Sequence, residues 1–411
     1  MAVTVSEGGV WTLLVGILVL ACGVPLGVDA GFRLFFLLTR CFLRPDPDRP
    51  VRRADGRCLR FALVIPAHDE ADVLAPTLRN LVGLAYPREA WQVFVIADAC
   101  SDETAAVARR EGAVCLEKPG PGPQGKGRAL CWFFERHGDQ LDSFDVLVVL
   151  DADSRVEPSF LTTLADAFAQ GAERVQTRVQ PILETTHWAS VLAAYSEWLS
   201  QEVDDRACRY WGWPVRFRGT GMAFRVDTVW VRPPVLRTKA EDAELTLWGL
   251  RQGSVDFVPS AVVYDPKPAT ARGVVRQRAR WLQGQGAILR HYGWDIVRLL
   301  GRGVGTWACV FALLLRPKAW VGVFKGVLFG LTWLVPMPAE WLQTAGRIWL
   351  GAAIAVDVLY YGLGLLWADR PSLYGKVLWR APLYALLWLW SGVVALGSKR
   401  FWLRARDGRA G

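Results

Sequence analysis

The stretch Asp145–Ser154, DVLVVLDADS, decides how the chain is read. Its apolar run is short and rich in β-branched valine, which predicts a strand buried on both faces of a parallel sheet. The run ends on an acid, Asp151, and a second acid, Asp153, follows two residues on. Two similar runs lie upstream: FALVIPA from Phe61, and QVFVIAD, which ends on Asp98. The segments DVLAPTLRNLVGL and ETAAVARREG, which alternate with these runs, have helical spacing. Strands alternating with helices predict a doubly wound α/β sheet, whose ligands bind beyond the carboxyl ends of the strands. Asp98 and Asp151 both stand at such ends, so a site is expected there.

Outward from this core the composition changes. The chain has 411 residues, 52% of them apolar, with 21 tryptophans and a formal net charge of +9. This balance points to a membrane and an anionic substrate, and it argues against nucleic acid because the arginines sit beside apolar segments and form no basic tract. The eight cysteines are scattered without C-x-x-C pairs and read as small buried hydrophobes in a reducing compartment. Val10–Val28 carries no charge and is long enough to span a bilayer. Its flanks disfavour a secretory signal: no Lys or Arg precedes it, whereas Arg33, Arg40, Arg44, Arg49, Arg52 and Arg53 follow. The positive-inside rule then puts the region after it in the cytosol.

The expected organisation is an anchor over residues 1–32, a basic linker over 33–59, the α/β domain over 60–270, an interfacial helix over 271–302 and a membrane region over 303–411. Within the last, Ala319–Pro336 and Ile348–Trp367 are expected to span. Ala381–Gly397 is expected at the surface or re-entrant, because a third span would put the basic tail Ser398–Arg409 outside. Gly303–Leu315 is short for a span. Lys325 and Asp357, at similar depth in adjacent antiparallel spans, are expected to pair.

Gly120–Gly127, GPGPQGKG, fits the phosphate-loop pattern G-x-x-x-x-G-K but ends on Gly127 where such a loop has Ser or Thr for magnesium. Pro119, Pro121 and Pro123 lack the N–H groups that would cradle phosphate. A triphosphatase is therefore not expected, and Lys126 serves either another nucleotide chemistry or a turn before a helix.

Seven motifs occur in order: IPAHDE, ADACSDET, GKGRAL, DADS, GTGMAFR, EDAELTLWGLRQG and RQRARW. Together the set resembles the membrane-bound family-2 glycosyltransferases, which include cellulose, chitin, hyaluronan and poly-N-acetylglucosamine synthases. The resemblance implies a GT-A-like doubly wound sheet flanked by transmembrane and interfacial helices. It also implies inverting transfer from a UDP-sugar, of glucose or N-acetylglucosamine type, to a growing polysaccharide at the inner face of a bacterial-type plasma membrane. Single transfer to a lipid acceptor is the alternative, favoured by the small number of spans. An inactive scaffold is disfavoured by the intact acids.

The resemblance also distributes roles. Ala67, Glu70, Asp98, Lys126 and Asp151 are expected to line the nucleotide pocket. Asp151 and Asp153 offer hard oxygens for Mg²⁺ or Mn²⁺ on the diphosphate. Asp242, beside Glu241 at the start of a helix, is the expected general base. Gln277, Arg280 and Trp281 share one helix face and are expected at the diphosphate and acceptor, while Arg272, Arg276 and Arg278 suit a membrane surface. The Gly219-Thr220-Gly221 stretch is expected to let backbone approach donor or acceptor. Ala240 and Asp69 stand where the family more usually has Thr and Asn. The expected partners are the UDP-sugar, a carbohydrate or lipid acceptor, the lipid bilayer and components of polysaccharide export, with no nucleic acid.

Overall fold

The computed structural model describes residues 7–42, 58–120, 125–229, 235–314, 318–336 and 339–397. Most of the linker, Pro121 and Pro123, and the basic tail lie outside the described residues.

The three apolar runs form neighbouring strands: β1 (Phe61–Ala67), β2 (Trp91–Asp98) and β4 (Val146–Val149). β1 lies parallel between the other two, with Val64 opposite both Phe94 and Val149. Phe61 to Ile65 are fully shielded from solvent, which is why the run contains no polar residue. Phe61, Leu63 and Ile65 pack on one face against Leu74, Leu78 and Phe160. Ala62 and Val64 pack on the other against Phe133 and Trp198. Burying one such large side chain contributes about 1.5–3 kcal/mol.

β3 (Val114–Lys118) extends the parallel half. Beyond β4 the sheet is mixed, with β7 (Met222–Arg225), β6 (Arg174–Ile182), β8 (Asp256–Pro266) and β5 (Arg155–Val156) in the order β3-β2-β1-β4-β7-β6-β8-β5. β7 runs antiparallel to both β4 and β6, whereas β6 and β8 are parallel. The amino end of β7, with Gly219–Gly221 before it, therefore reaches the same sheet edge as the carboxyl ends of β1, β2, β4 and β8. That edge is the site.

The amino-terminal helix, Glu7–Phe42, runs through the first part of the expected linker. Its basic residues do not end it because each finds an acid: Arg33 meets Asp29 at 3.2 Å and Asp357 at 2.7 Å, and Arg40 meets Glu202 at 2.8 Å. Among the described residues, Gly16–Phe42 and Glu340–Trp367 are long and apolar enough to cross a membrane, and Pro371–Leu378 with Ala381–Gly397, bent by 74°, would be a third if taken as one span. The helix Lys318–Leu334 has 17 residues, about 25 Å, shorter than the span expected from Ala319 to Pro336. Lys325 does meet Asp357, at 3.0 Å, but it also meets Asp29 at 3.2 Å. The expected pair is thus a quartet of two acids and two bases.

A π-helical turn, Ser200–Asp205, joins these helices to the sheet domain. Its acids point to separate partners: Glu202 to Arg40 and Arg206, Asp204 to Lys318 and the Tyr360 hydroxyl, and Asp205 to Arg218. π-turns are rare and cluster at functional sites.

Candidate active site

A cavity of about 360 Å³ opens at the sheet edge. Ala67, Glu70, Asp98, Lys126, Asp151, Asp153, Gly219, Glu241, Asp242, Gln277, Arg280 and Trp281 all line it. Seven segments far apart in sequence are thereby brought together. Thr220 and Gly221 lie behind its wall. The Thr220 hydroxyl accepts the Asp151 N–H at 3.1 Å and is 2.9 Å from the Ser154 hydroxyl, so it fixes the turn that carries both acids. Gly219 and Gly221 have φ of +93° and +65°, and a Cβ at Gly221 would fall 2.0 Å from Thr177 Oγ1. Only glycine fits that approach.

Lys126 is the first residue of the helix Lys126–His137. Its ammonium donates to Asp151 Oδ1 at 2.5 Å and to the Gly219 carbonyl at 2.6 Å, tying β4 to the loop before β7. Burial opposes its charge, but Asp151 and Glu241 outweigh burial and raise its pKa. A Cβ on Gly127 would lie 3.1 Å from Glu241 Cβ and 3.2 Å from Leu236 Cβ. The position where a phosphate loop keeps its hydroxyl is therefore occupied by packing against a site acid.

Asp98 makes a buried 2.8 Å ion pair with Lys118, its register neighbour on β3. Asp69 has φ +49°, a conformation to which Asp and Asn are better suited than most residues. Its carboxylate accepts the N–H groups of Ser101 and Asp102, locking the loops after β1 and β2 together. Among the described residues the one set of three metal-capable groups within 4.8 Å of one another is His68, Asp69 and Cys100. Asp69 is already committed to those N–H donors, and burial pushes the Cys100 thiol up, so this set reads as a brace.

Glu241 and Asp242 open the helix Glu241–Gln252. Burial pushes both carboxyls up. Glu241 reaches about 7, with Lys126 opposing and Asp242 adding to the rise. Asp242 is raised against the Ala243 N–H that its carboxylate accepts at 2.8 Å. Glu244 accepts the Arg237 N–H at 2.7 Å and the Thr238 N–H at 2.5 Å, holding the preceding loop. The hydroxyl missing at Ala240 has a near substitute, since Thr238 Oγ1 accepts the Ala240 N–H at 3.2 Å. Ala240 is also packed against the long helix Ala271–Leu300, where a Cβ on Gly284 would come within 2.8 Å of its own.

Arg280 and Trp281 on that helix are exposed toward the cavity. Arg278 corrects the expectation of a membrane-facing basic surface. It is buried, with its guanidinium 4.0 Å from the Tyr384 ring and 4.1 Å from the Trp388 ring. The reason is cation–π stacking against the apolar helix Ala381–Gly397, a pairing that exists only in the assembled fold.

The lining residues that escaped the sequence reading include Glu197, Arg218, Asp265 and Lys267. Lys267 bridges Asp265 at 2.5 Å and Glu197 at 2.6 Å. Asp265 carried a usable signal, because it closes β8 as Asp98 closes β2. Burial, opposed by Lys267 and assisted by the charges of Glu197 and Asp153, pushes its carboxyl to about 7. An acid raised by acidic neighbours in a cavity fits a divalent cation, which would relieve that repulsion.

A mixed sheet with acids at its strand ends, closed by a helix bearing Gln, Arg and Trp, is a GT-A glycosyltransferase architecture. Residues 59–284, more than half of the chain, match the family described as Glycosyltransferase like family 2, and the chain belongs to it. A probable glycosyltransferase, YdaM, of Bacillus subtilis is 27% identical over 246 residues, 55% of each chain. A poly-beta-1,6-N-acetyl-D-glucosamine synthase of Staphylococcus aureus is 24% identical over 272 residues, 62% of this chain and 61% of that one. The chain thus spans 55% and 61% of the length of these curated relatives. The solved mannosyltransferase PcManGT from Pyrobaculum calidifontis, in complex with GDP-Man and Mn²⁺, shares the fold, with a TM-score of 0.51 and 15% identity over 92% of this chain and 98% of that one.

Proposed function

We propose that this chain transfers a sugar from a nucleoside diphosphate donor, a UDP-sugar by its motifs, to an acceptor hydroxyl with inversion, at the cytosolic face of a membrane it spans. The observation supporting this most is the convergence of all seven motifs on one cavity. Asp242, raised by burial and half-open to the cavity, takes the proton of the acceptor hydroxyl. The acceptor oxygen attacks the anomeric carbon as the bond to the diphosphate breaks, and UDP leaves. A single displacement needs no protein nucleophile.

Ala67, Glu70 and Asp98 face the nucleotide, with Asp98 held by Lys118. Asp151 and Asp153, the latter near Asp265, would hold Mg²⁺ or Mn²⁺, which supplies charge neutralisation for the diphosphate. Lys126 and Arg280 add fixed positive charge, and Trp281 offers a flat apolar face for a sugar ring. Polysaccharide extension is the reaction in the name of the S. aureus relative, and sugar transfer is the step common to it and to single addition. Incubating membranes that contain the chain with labelled UDP- and GDP-sugars tests the proposal. UDP release from a UDP-sugar is expected, and no release from any nucleotide sugar would remove the assignment.

A further inference from the structure

Part of the cavity wall is hydrocarbon: Leu282 and Ile288 of the long helix, Leu313 and Leu314 of the helix Val304–Leu314, and Trp388 of the helix Ala381–Gly397. The polar residue among them, Gln285, already donates its amide to the Leu313 carbonyl at 3.2 Å. A saccharide laid along this wall would leave hydroxyls against hydrocarbon without partners. A hydrocarbon chain gains there for each methylene it buries.

The helix Ala381–Gly397 carries this apolar wall to the outer surface. It contains no charged residue in its 17 positions. Tyr384 and Trp388 face inward on Arg278, while Leu383, Leu386, Trp390 and Val393 form an outward stripe, each 48–58% exposed. The same helix therefore lines the reaction cavity on one side and presents bare hydrocarbon on the other.

We propose that the acceptor is a lipid. Its hydroxyl-bearing head lies at Asp242, and its hydrocarbon chain leaves over Leu282, Leu314 and Trp388 into the bilayer, between the helices Val304–Leu314 and Ala381–Gly397. This rests on the transfer reaction proposed above and names its acceptor class.

The full chain, reconstituted in phospholipid nanodiscs with a UDP-sugar, tests it with n-alkyl β-glucosides from methyl to dodecyl as acceptors. The acceptor kcat/KM should climb with chain length, by up to about fourfold per methylene, until the chain outruns the wall. Leu314→Gln should flatten the climb, as should Trp388→Phe, which guards against a misfolded first variant. Partition into the disc affects wild type and variants alike, so the difference in slope is the reading. Equal slopes in wild type and both variants overturn the proposal, as does a product ladder whose yield ignores the alkyl chain. UDP release in the same reactions separates the failures. Without release from any donor the transfer reaction itself falls; release without chain-length dependence removes only the lipid acceptor.

Discussion

At the scale of single residues, the helix start at Glu241 and Asp242 places two half-buried carboxyls in the cavity wall, and loss of solvent raises both. A general base works in its ionised form, so turnover should fall as pH drops through the raised pKa of Asp242, at a higher pH than for an ordinary aspartate. The Lys126 ammonium holds that carboxyl down against its burial, so Lys126→Met should move this acid limb to higher pH. An unmoved limb in a pH–rate profile would show that Lys126 does not act on the base. Asp242→Asn should retain UDP-sugar binding by calorimetry while turnover falls by roughly 10²-fold or more, and near-normal turnover would remove Asp242 from the mechanism. Acids at strand ends were legible from sequence wherever the strand was a continuous apolar run, as at Asp98 and Asp151. Asp265 ends a similar run, Ala261–Tyr264, but its place in the site shows only beside Glu197, which lies on a helix remote in sequence and shares Lys267 with it. Lys118 and Arg278 were hidden for the same reason: their partners, Asp98 across a strand pair and Tyr384 across a helix pair, exist only in the assembled fold.

At the scale of elements, Gly127 and Gly284 set how closely the site helices approach. Gly127→Thr restores the last letter of a phosphate loop, but its Cβ would press on Glu241 and Leu236. Sugar transfer should drop, by up to about 10²-fold if Glu241 moves by an ångström, with no triphosphate hydrolysis gained. Transfer and UTP hydrolysis measured on one preparation check both halves. The long helix from Ala271 and the shared face of Gln277, Arg280 and Trp281 were readable from spacing, as were the helices after β1 and β2. The π-turn Ser200–Asp205 was not, since no local propensity marks it. It is held by ion pairs to Arg40, Lys318 and Arg218, which come from three different parts of the chain.

At the scale of the whole molecule, the quartet Asp29, Arg33, Lys325 and Asp357 is neutral as a set and joins the first helix to the last hairpin. Lys325→Met leaves a surplus acid in a buried place and should cost about 3–5 kcal/mol, read as a lowered unfolding midpoint in detergent. Adding Asp357→Asn restores balance, because Arg33 and Asp29 still pair, and should recover most of the loss. A double variant no better than the single would mean that charge balance is not what the quartet provides. A simple exchange of Lys325 and Asp357 is expected to fail, since each new charge would face its like on Asp29 or Arg33. On the proposed reading of these helices as spans, the quartet also imposes a timetable on synthesis. Lys325 is made 296 residues after Asp29, a wait of about 15–60 s at the usual rate of elongation. Asp29 and Arg33, one helical turn apart, neutralise each other in the meantime. The first helix can thus enter the lipid early and alone, and the catalytic domain folds before the hairpin arrives to complete it. In a pulse-chase, Arg33→Leu should then show its defect in the nascent chain, and Lys325→Met only after release from the ribosome.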